Sequence, residues 1–222
     1  MRNFDEVFQI AAERKGGTSA LEELLDPPLS LEQLKKIPDD RWLAMMTKCV
    51  FQAGFSWKVI EAKWDGFEKA FEGFDIGRCL FLNDEDMEQL LSNKDIVRNG
   101  MKIKTVQQNA AFISDLAKEH GSAANFFATW PSDDYIGLLE TLKKRGSRLG
   151  GSTSQYFLRF IGVDSFVLSR DVVARLLAEG VVDKNPTSKS AMKAVQAAFN
   201  TWSDQSGRSL KEISRVLAMS VD

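Results

Sequence analysis

The chain has 222 residues, of which 44% are apolar and 27% are charged. This balance is typical of a globular protein and excludes a disordered tail. The formal net charge is −2, so the chain as a whole is not basic. One histidine and two cysteines are too few for a structural zinc site, which combines several such ligands at short paired spacings. We therefore expect no metal and no cofactor, and a histidine-dependent catalytic centre would have to use His120.

The sequence also carries expectations about location. The segment Met1–Glu6 has no apolar core of the kind that a signal peptide needs. No stretch approaches the roughly 18–20 continuous apolar residues of a membrane span. Cys49 and Cys79 do not resemble a disulfide framework. We expect a cytoplasmic protein with reduced thiols that does not contact a membrane.

The first half of the chain shows helical periodicity. Apolar residues recur at three- and four-residue steps, and glycines or prolines separate the periodic segments. Ser30 begins a segment with the spacing of a capping box. Asn83 begins an acidic first turn, which suits the positive end of a helix dipole. The predicted helices here are Phe4–Arg14, a short helix after Ser30, Pro38–Phe51, Trp57–Trp64 and Asn83–Leu91.

The second half continues the helical pattern. Asn99 and Gly100 form a turn before a long helix, and Gly121 and Gly146 stop the helices that precede them. Pro131 opens a helix, as proline does at a first helical position. The predicted helices are Met101–Glu119, Pro131–Arg145, Thr153–Ile161, Ser169–Glu179, Thr187–Ser203 and Ser209–Met219.

The pattern predicts an all-α protein of roughly ten helices joined by short loops. Period-two alternation, a fixed repeat and a long linker are all missing from the sequence. We expect residues 1–222 to form a single unit. If it has two lobes, the hinges are expected at Asp26–Ser30 and around Pro131.

The segment Leu142–Gly162 gives the clearest indication of how the protein binds a ligand. One helix ends at Gly146, a tight turn passes Gly150 and Gly151, and a second helix starts at Ser152 and Thr153. Glycines allow close approach of a ligand to the backbone, and a helix start presents unpaired N–H groups at the positive end of its dipole. A helix-hairpin-helix element at about 134–161 is therefore expected to bind phosphate.

Charge supports this interpretation locally. Between Glu140 and Arg175 there are seven positively charged residues and three acids. This segment is therefore basic, although the net charge of the whole chain is close to zero. The candidates for DNA-backbone contacts are Lys144, Arg145 and Arg148, because basic side chains neutralise phosphates. The alternative is a glycine-rich helix-helix turn with solvated lysines. Arg98 and Lys102 are further candidates for phosphate contacts, or else lie on an exposed helix face.

A second cluster lies within the segment at about 41–64. Gly54 precedes Phe55 and Trp57, an arrangement that can open a pocket floor and free an indole to stack on a flat ligand. Gln52 can orient the edge of a base or simply hold the turn. Packing in the core is the alternative for these aromatic residues.

These motifs occur in one order along the chain: Gln52-Ala-Gly-Phe-Ser-Trp57, Phe71-Glu-Gly-Phe-Asp75, Asp84-Glu-Asp86, Ile96-Val-Arg-Asn99, Lys102-Ile103, Asn109-Ala110 and Leu142-Lys-Lys-Arg-Gly146. The series resembles the DNA-3-methyladenine glycosylase I family, a branch of the helix-hairpin-helix DNA glycosylases. The resemblance covers about residues 41–161.

The resemblance implies a monofunctional base excision repair enzyme. Such enzymes flip an alkylated purine out of double-stranded DNA and hydrolyse its N-glycosidic bond, with 3-methyladenine as the family substrate. Trp57 falls on the family's stacking tryptophan, and Gln52, Phe55 and Cys49 are the other base-binding candidates. The hairpin falls on the DNA-backbone anchor, which adds Gly150, Gly151, Ser152 and Thr153 to the basic residues above. We expect a monomer.

Three departures separate this chain from the family pattern. Its shortage of cysteine and histidine excludes the family's zinc snap. The family's N-terminal aromatic motif is replaced by a different helix at 4–17. An ungapped match puts Cys49 at the family's base-reading glutamate, and no acid occurs between Asp40 and Glu61. Cys49 can instead be packed apolar volume, as a lone cysteine often is.

Asp171 is the candidate catalytic carboxylate. Loss of the base gives the sugar oxocarbenium character, so a nearby carboxylate can stabilise charge and activate water. In the wider superfamily an aspartate follows the hairpin at about this place. Asp171 can equally be a first-turn acid behind a cap at Ser169. Asp164 is a second candidate.

Two other functions fit the same residues. A non-catalytic relative would use the hairpin to find damaged or distorted DNA, with salt-dependent binding and no turnover. A helical protein-interaction module would show no DNA binding even at low salt.

Overall fold

The computed structural model describes residues 1–221. Within them lie fifteen α-helices, two short 3-10 helices and no β-strand, which confirms the all-α prediction. In chain order, the α-helices are α1 Phe4–Lys15, α2 Thr18–Glu22, α3 Leu31–Lys35, α4 Asp39–Gln52, α5 Trp57–Ala62, α6 Trp64–Ala70, α7 Ile76–Leu80, α8 Asp84–Ser92, α9 Gly100–His120, α10 Ala123–Thr129, α11 Tyr135–Arg145, α12 Ser152–Ile161, α13 Arg170–Ala178, α14 Lys189–Ser206 and α15 Leu210–Met219. The 3-10 helices are Glu72–Phe74 and Ser132–Asp134.

Side-chain caps explain where many of these helices begin. The Ser30 hydroxyl accepts a hydrogen bond from the Gln33 backbone N–H, and the Gln33 Oε1 accepts one from the Ser30 backbone N–H, as the capping-box spacing predicts. The same reciprocal pair starts α1, α8 and α15. Gly16, Gly121 and Gly207 end their helices in the left-handed conformation that glycine adopts without strain.

The short helices differ most from the sequence prediction. One helix is expected from Trp57 to Trp64, but the backbone at Lys63 leaves the helical conformation (φ −101°, ψ 3°), so α5 ends at Ala62 and a separate helix, α6, begins at Trp64. Helices α2, α6, α7 and α10 are not predicted from the sequence. They contain five to seven residues, too few to show a helical period.

The chain divides into two compact units. Unit 1 comprises residues 1–29, 130–138 and 162–222, and unit 2 comprises residues 30–129 and 139–161. Two of the borders, at 29/30 and 129/130, lie at the segments where the sequence indicates breaks. The helix-hairpin-helix loop and the segment at about 41–64 both belong to unit 2.

Unit 2 is organised around α4. This helix packs against both α9 and α12. Trp42 is fully buried and stacks on Phe127 at a centroid distance of 4.5 Å. A second aromatic group, with Phe51 and Phe67 at its centre, packs between α4 and α6. The packing of Phe51 against Phe67 holds the C-terminal end of α4 in place.

Unit 1 is built from α1, α13, α14 and α15. Phe166 stacks on Phe199 at 4.2 Å, and the fully buried Trp202 donates its indole N–H to the Arg2 carbonyl at 3.1 Å. Trp42 and Trp202 therefore lie in the core. No helix in the described part of the chain is long and apolar enough to cross a membrane.

A buried ion network ties together three parts of unit 1. The Glu179 carboxylate accepts hydrogen bonds from Arg2 at 2.7 Å and from Arg175 at 3.2 Å. The Arg175 guanidinium also donates to the hydroxyl of Ser220 at 2.7 Å. Only 1% of the Glu179 side chain and 8% of the Arg175 side chain are exposed. The network joins the N-terminus, α13 and the end of α15.

Candidate DNA-binding and base-binding site

The hairpin loop of residues 146–151 connects α11 to α12. Leu149 is fully buried and anchors the middle of the loop. A Cβ atom at Gly146 would lie 2.6 Å from Leu149 Cδ1 and 2.9 Å from the Leu142 carbonyl oxygen, so the turn leaves no room for a side chain there. Glycine is therefore required at the point where α11 ends.

The far side of the loop is open. Gly151 has φ +59° and no atom within 4 Å of the place where a Cβ would stand. It immediately precedes Ser152 and Thr153, the first residues of α12, whose backbone N–H groups have no partner within the helix. This combination of an open glycine and a helix N-terminus suits an approaching phosphate.

The loop is braced by α9, a contact that spacing along the chain does not reveal. The Asn109 side chain is fully buried and brackets Ser147: its Oδ1 accepts from the Ser147 backbone N–H at 2.7 Å, and its Nδ2 donates to the Ser147 carbonyl at 3.1 Å. Ser147 also donates its hydroxyl to Gln108. The 38 positions between Asn109 and Ser147 conceal this brace from sequence reasoning.

The basic candidates have different surroundings. Lys144 and Arg148 are exposed, and Arg148 has φ +57°, a rare conformation for a residue with a side chain. Arg145 forms two hydrogen bonds with Glu119, at 2.7 and 2.8 Å, and lies over the Phe112 ring. Because Glu119 neutralises Arg145, Lys144 and Arg148 are the better placed candidates for phosphate contacts.

Trp57, at the start of α5, is 44% exposed. It contacts the rings of Tyr156 and Phe160, on α12, at centroid distances of 5.3 and 5.7 Å. Both contacts are nearly perpendicular, with interplanar angles of 89° and 85°. A flat base can therefore stack parallel to the exposed indole, while the aromatic rings of α12 support the indole.

Lys102 overturns one expectation from the sequence. Its side chain does not lie on an exposed helix face as a phosphate contact would. It is buried, and its Nζ donates to the backbone carbonyls of Val50 at 2.9 Å, Phe51 at 3.2 Å and Ala53. Burial, and secondarily the charge of Arg148, lower the pKa of Lys102.

Lys102 instead fixes the turn that presents the aromatic residues. A cation at the C-terminal carbonyls of a helix is favoured by the helix dipole. Its Nζ also lies 4.5 Å from the centroid of the Phe55 ring, which is 40% exposed. The buried Lys102 thus stabilises both the end of α4 and the position of the Phe55 ring.

Cys49 and Gln52 are both buried near the end of α4. Burial raises the pKa of the Cys49 thiol to about 12, so the thiol is neutral near pH 7 and cannot act as an anionic acceptor. This placement favours apolar packing for Cys49. The Gln52 Nε2 donates to the Glu61 carboxylate at 3.3 Å.

Glu61 is the residue that sequence reasoning missed. It lies beyond the segment in which a carboxylate was sought, yet α5 brings it back beside α4. Its other carboxylate oxygen pairs with Lys48 at 2.8 Å. Thus an acid does lie next to Gln52, although it comes from the following helix.

Asp171 and Asp164 belong to unit 1. Asp171 lies in the first turn of α13, behind the Ser169 cap, and contacts Arg170 at 3.3 Å with 43% of its side chain exposed. Asp164 accepts a hydrogen bond from the Lys211 backbone N–H at 2.8 Å. Among residues 1–221 no cluster of three or more histidine, cysteine or acidic side chains could hold a metal ion.

Known proteins resemble this chain in sequence and in fold. The methyladenine glycosylase family model matches residues 35–137. A solved 3-methyladenine DNA glycosylase I (TAG) is 27% identical, with a TM-score of 0.49 over 56% of this chain and 79% of that chain. The 8-oxoguanine DNA glycosylase of Methanocaldococcus jannaschii is 16% identical, with a TM-score of 0.55 over 94% of this chain and 90% of that chain. The 8-oxoguanine glycosylase/lyase from that organism, in complex with 15mer DNA containing 8-oxoguanine, is 15% identical, with a TM-score of 0.50 over 96% and 95%.

These matches confirm the resemblance to the DNA-3-methyladenine glycosylase I family. The segment matched by the family model includes Gln52, Trp57 and Glu61 and ends before the hairpin loop. The Methanocaldococcus structures match nearly the whole chain and show the fold of the helical DNA glycosylases. The family model thus covers the base-binding candidates, and the solved structures show the fold.

Proposed function

We propose that this divergent relative of the methyladenine glycosylases hydrolyses the N-glycosidic bond of an alkylated purine, with 3-methyladenine as its substrate by resemblance. One observation carries the proposal: α12 serves both the hairpin and Trp57. Its first residue, Ser152, faces the open loop, and Tyr156, one turn later, contacts Trp57. Four helical residues span about 6 Å, so the start of α12, which suits a phosphate, lies about 6 Å along the helix from the residue that contacts the stacking tryptophan.

This linkage suits base flipping. Turning a nucleotide out of the duplex costs a few kcal/mol, and least when the base is damaged. Stacking on an aromatic side chain returns about 1–3 kcal/mol per base. A phosphate held at the hairpin keeps the backbone in register while the base reaches Trp57.

The hydrolysis itself needs little acid–base assistance from the protein. Water adds its oxygen to the sugar C1′, the C1′–N bond breaks, and the bonding electrons leave with the purine while the water gives up a proton. An alkylated, positively charged purine leaves readily because it departs as a neutral base. We propose a monofunctional enzyme, a cytoplasmic monomer, that leaves an abasic site in double-stranded DNA. Release of free 3-methyladenine from alkylated duplex DNA tests this proposal.

We keep Asp171 as the proposed water-positioning carboxylate, because it is a half-exposed acid with a single arginine neighbour. For Asp171→Asn we expect single-turnover excision to slow about tenfold. This is less than the roughly 100-fold usual minimum for general acid–base catalysis, because the leaving group is already good. Asp183→Asn, an exposed acid in the same unit, is the control. A rate equal to that of the unaltered chain removes Asp171 from the mechanism.

The hairpin gives a prediction about binding. For Lys144→Gln we expect weaker binding to duplex DNA of any sequence, with a salt dependence (log K against log salt) shallower by about 0.9, the value for one lost phosphate contact. The measurement is fluorescence anisotropy of labelled duplex DNA across a salt series. Lys193→Gln, on α14, makes the same charge change at another exposed lysine and should leave the slope unchanged. Equal slopes for both variants would exclude Lys144 from the interface.

A further inference from the structure

Helix α9 is attached to both parts of the candidate site. Near its N-terminus, the Lys102 ammonium donates to carbonyls at the end of α4 and lies 4.5 Å from the centroid of the Phe55 ring. Farther along, the Asn109 side chain holds the backbone of Ser147, in the hairpin loop, through hydrogen bonds of 2.7 and 3.1 Å. All four residues belong to unit 2. One helix therefore carries both the turn that presents Phe55 and the hairpin loop.

The two attachment points have a fixed separation. Lys102 and Asn109 are seven positions apart, so they lie on one face of α9 and about 10 Å apart along its axis. Both side chains are buried, and α9 runs without a break from Gly100 to His120. Because a continuous helix keeps its rise per residue, the loop can shift relative to the turn only if one set of hydrogen bonds breaks.

The hairpin loop touches α9 at both attachment points. Ser147 lies against Asn109, and the guanidinium of Arg148, the next residue, lies 3.9 Å from the sulfur of Met101, which precedes Lys102. The connection through α12, by contrast, is made by contacts between aromatic rings. Hydrogen bonds depend on direction as well as on distance, so α9 is the more exacting of the two connections.

We propose that Lys102 and Asn109 are positioning residues that together set the distance between a phosphate at the hairpin loop and the base-binding turn. Releasing either end of α9 frees the loop from the turn, and releasing the second end frees nothing more. A misplacement of about 1 Å can slow an enzymatic reaction roughly 100-fold, even when it originates far from the reacting atoms. This inference rests on the proposed glycosylase function and adds to it the residues that align phosphate with base.

A double-mutant cycle tests this coupling. Lys102→Met removes the ammonium and Asn109→Leu removes both amide hydrogen bonds, each with a side chain of similar size. At saturating protein, we expect each variant to slow single-turnover release of 3-methyladenine from duplex DNA roughly 10- to 100-fold. The double variant should be no slower than the slower single variant. The effects on the free energy of unfolding should instead add, because the two residues are about 10 Å apart and bind different partners.

Gln107→Ala is the matched control. Gln107 also ties α9 to a loop, because its Nε2 donates to the carbonyls of Leu80 at 3.1 Å and Leu82 at 2.9 Å, but that loop carries none of the site candidates. This variant should lower stability and leave the excision rate constant unchanged. If it slows excision as much as the two single variants, a general loosening of α9 explains their effect and the inference is overturned. A double variant slower than both single variants overturns it as well, because the two ends then act independently.

Melting curves establish that each variant is folded at the assay temperature. If Lys102→Met or Asn109→Leu fails to fold, Lys102→Ser or Asn109→Ser takes its place, since the short side chain breaks the same contact and leaves room for water beside the freed groups. Single variants that release base at the rate of the unaltered chain refute the inference alone. If the unaltered chain releases no base, the proposed function fails and this inference fails with it.

Discussion

We expect the Trp57→Ala variant to release free base from alkylated duplex DNA roughly 100-fold more slowly than the unaltered chain, which is near the upper end of the energy of one base–aromatic stack. The alanine removes the platform on which the flipped base would lie. Because Trp57 is 44% exposed and packs edge-to-face against Tyr156 and Phe160, which remain in place, the fold should survive. Single-turnover release of base, measured beside a melting curve, checks both points.

Two controls distinguish stacking from mere loss of apolar surface. Trp57→Phe keeps an aromatic face and should retain most of the activity. Val59→Ala trims another half-exposed apolar residue of α5 and should change little. If Trp57→Ala releases base at the rate of Val59→Ala, the platform lies elsewhere.

The second large effect concerns stability. We expect Glu179→Ala to lower the free energy of unfolding by about 3–5 kcal/mol, the usual cost of removing one partner from a buried ion pair. The change leaves Arg175 buried without its carboxylate and also releases Arg2. Chemical denaturation monitored by tryptophan fluorescence measures the loss. Glu22→Ala breaks a surface pair with Arg208 and should cost no more than about 1 kcal/mol.

The same network gives a pH dependence. Burial raises the pKa of Glu179, but the hydrogen bonds and charge of Arg2, with the hydrogen bond from Arg175, outweigh it, so the pKa lies below its ordinary value of 4.5. A lowered carboxylate pKa stabilises the folded state fully above the unfolded pKa and progressively less as the pH falls through the folded value. The stability difference between the unaltered chain and Glu179→Ala should therefore shrink in acid below about pH 4.5. A difference that grows as the pH falls would contradict this account of the network.

Much of the fold follows from local chemistry. Capping side chains such as Ser30 and Ser209, and stop signals such as Gly16 and Gly121, mark helix ends within a few residues of their observed places. Each cap or stop signal acts within one turn of its helix, so it can be recognised from neighbouring residues in the sequence. The kink at Lys63 has no such local mark, and it separates α5 from α6.

The site was less predictable, because its decisive contacts join distant positions. The glycine at 146 and the exposed Trp57 could be anticipated from turn chemistry and motif order. The burial of Lys102 could not, since its partners at the end of α4 lie about 50 positions away. The return of Glu61 to Gln52 depends on the angle at which α5 leaves the turn, and no spacing along the chain encodes that angle.

Excision of a damaged purine by this chain can be measured directly. The purified unaltered chain is incubated with methylated duplex DNA, and free bases and DNA strands are then analysed separately. We expect free 3-methyladenine in the soluble fraction and intact strands that carry abasic sites. Salt-dependent binding to DNA, with no base released from any alkylated or deaminated duplex, would contradict this expectation and identify a non-catalytic DNA-binding relative.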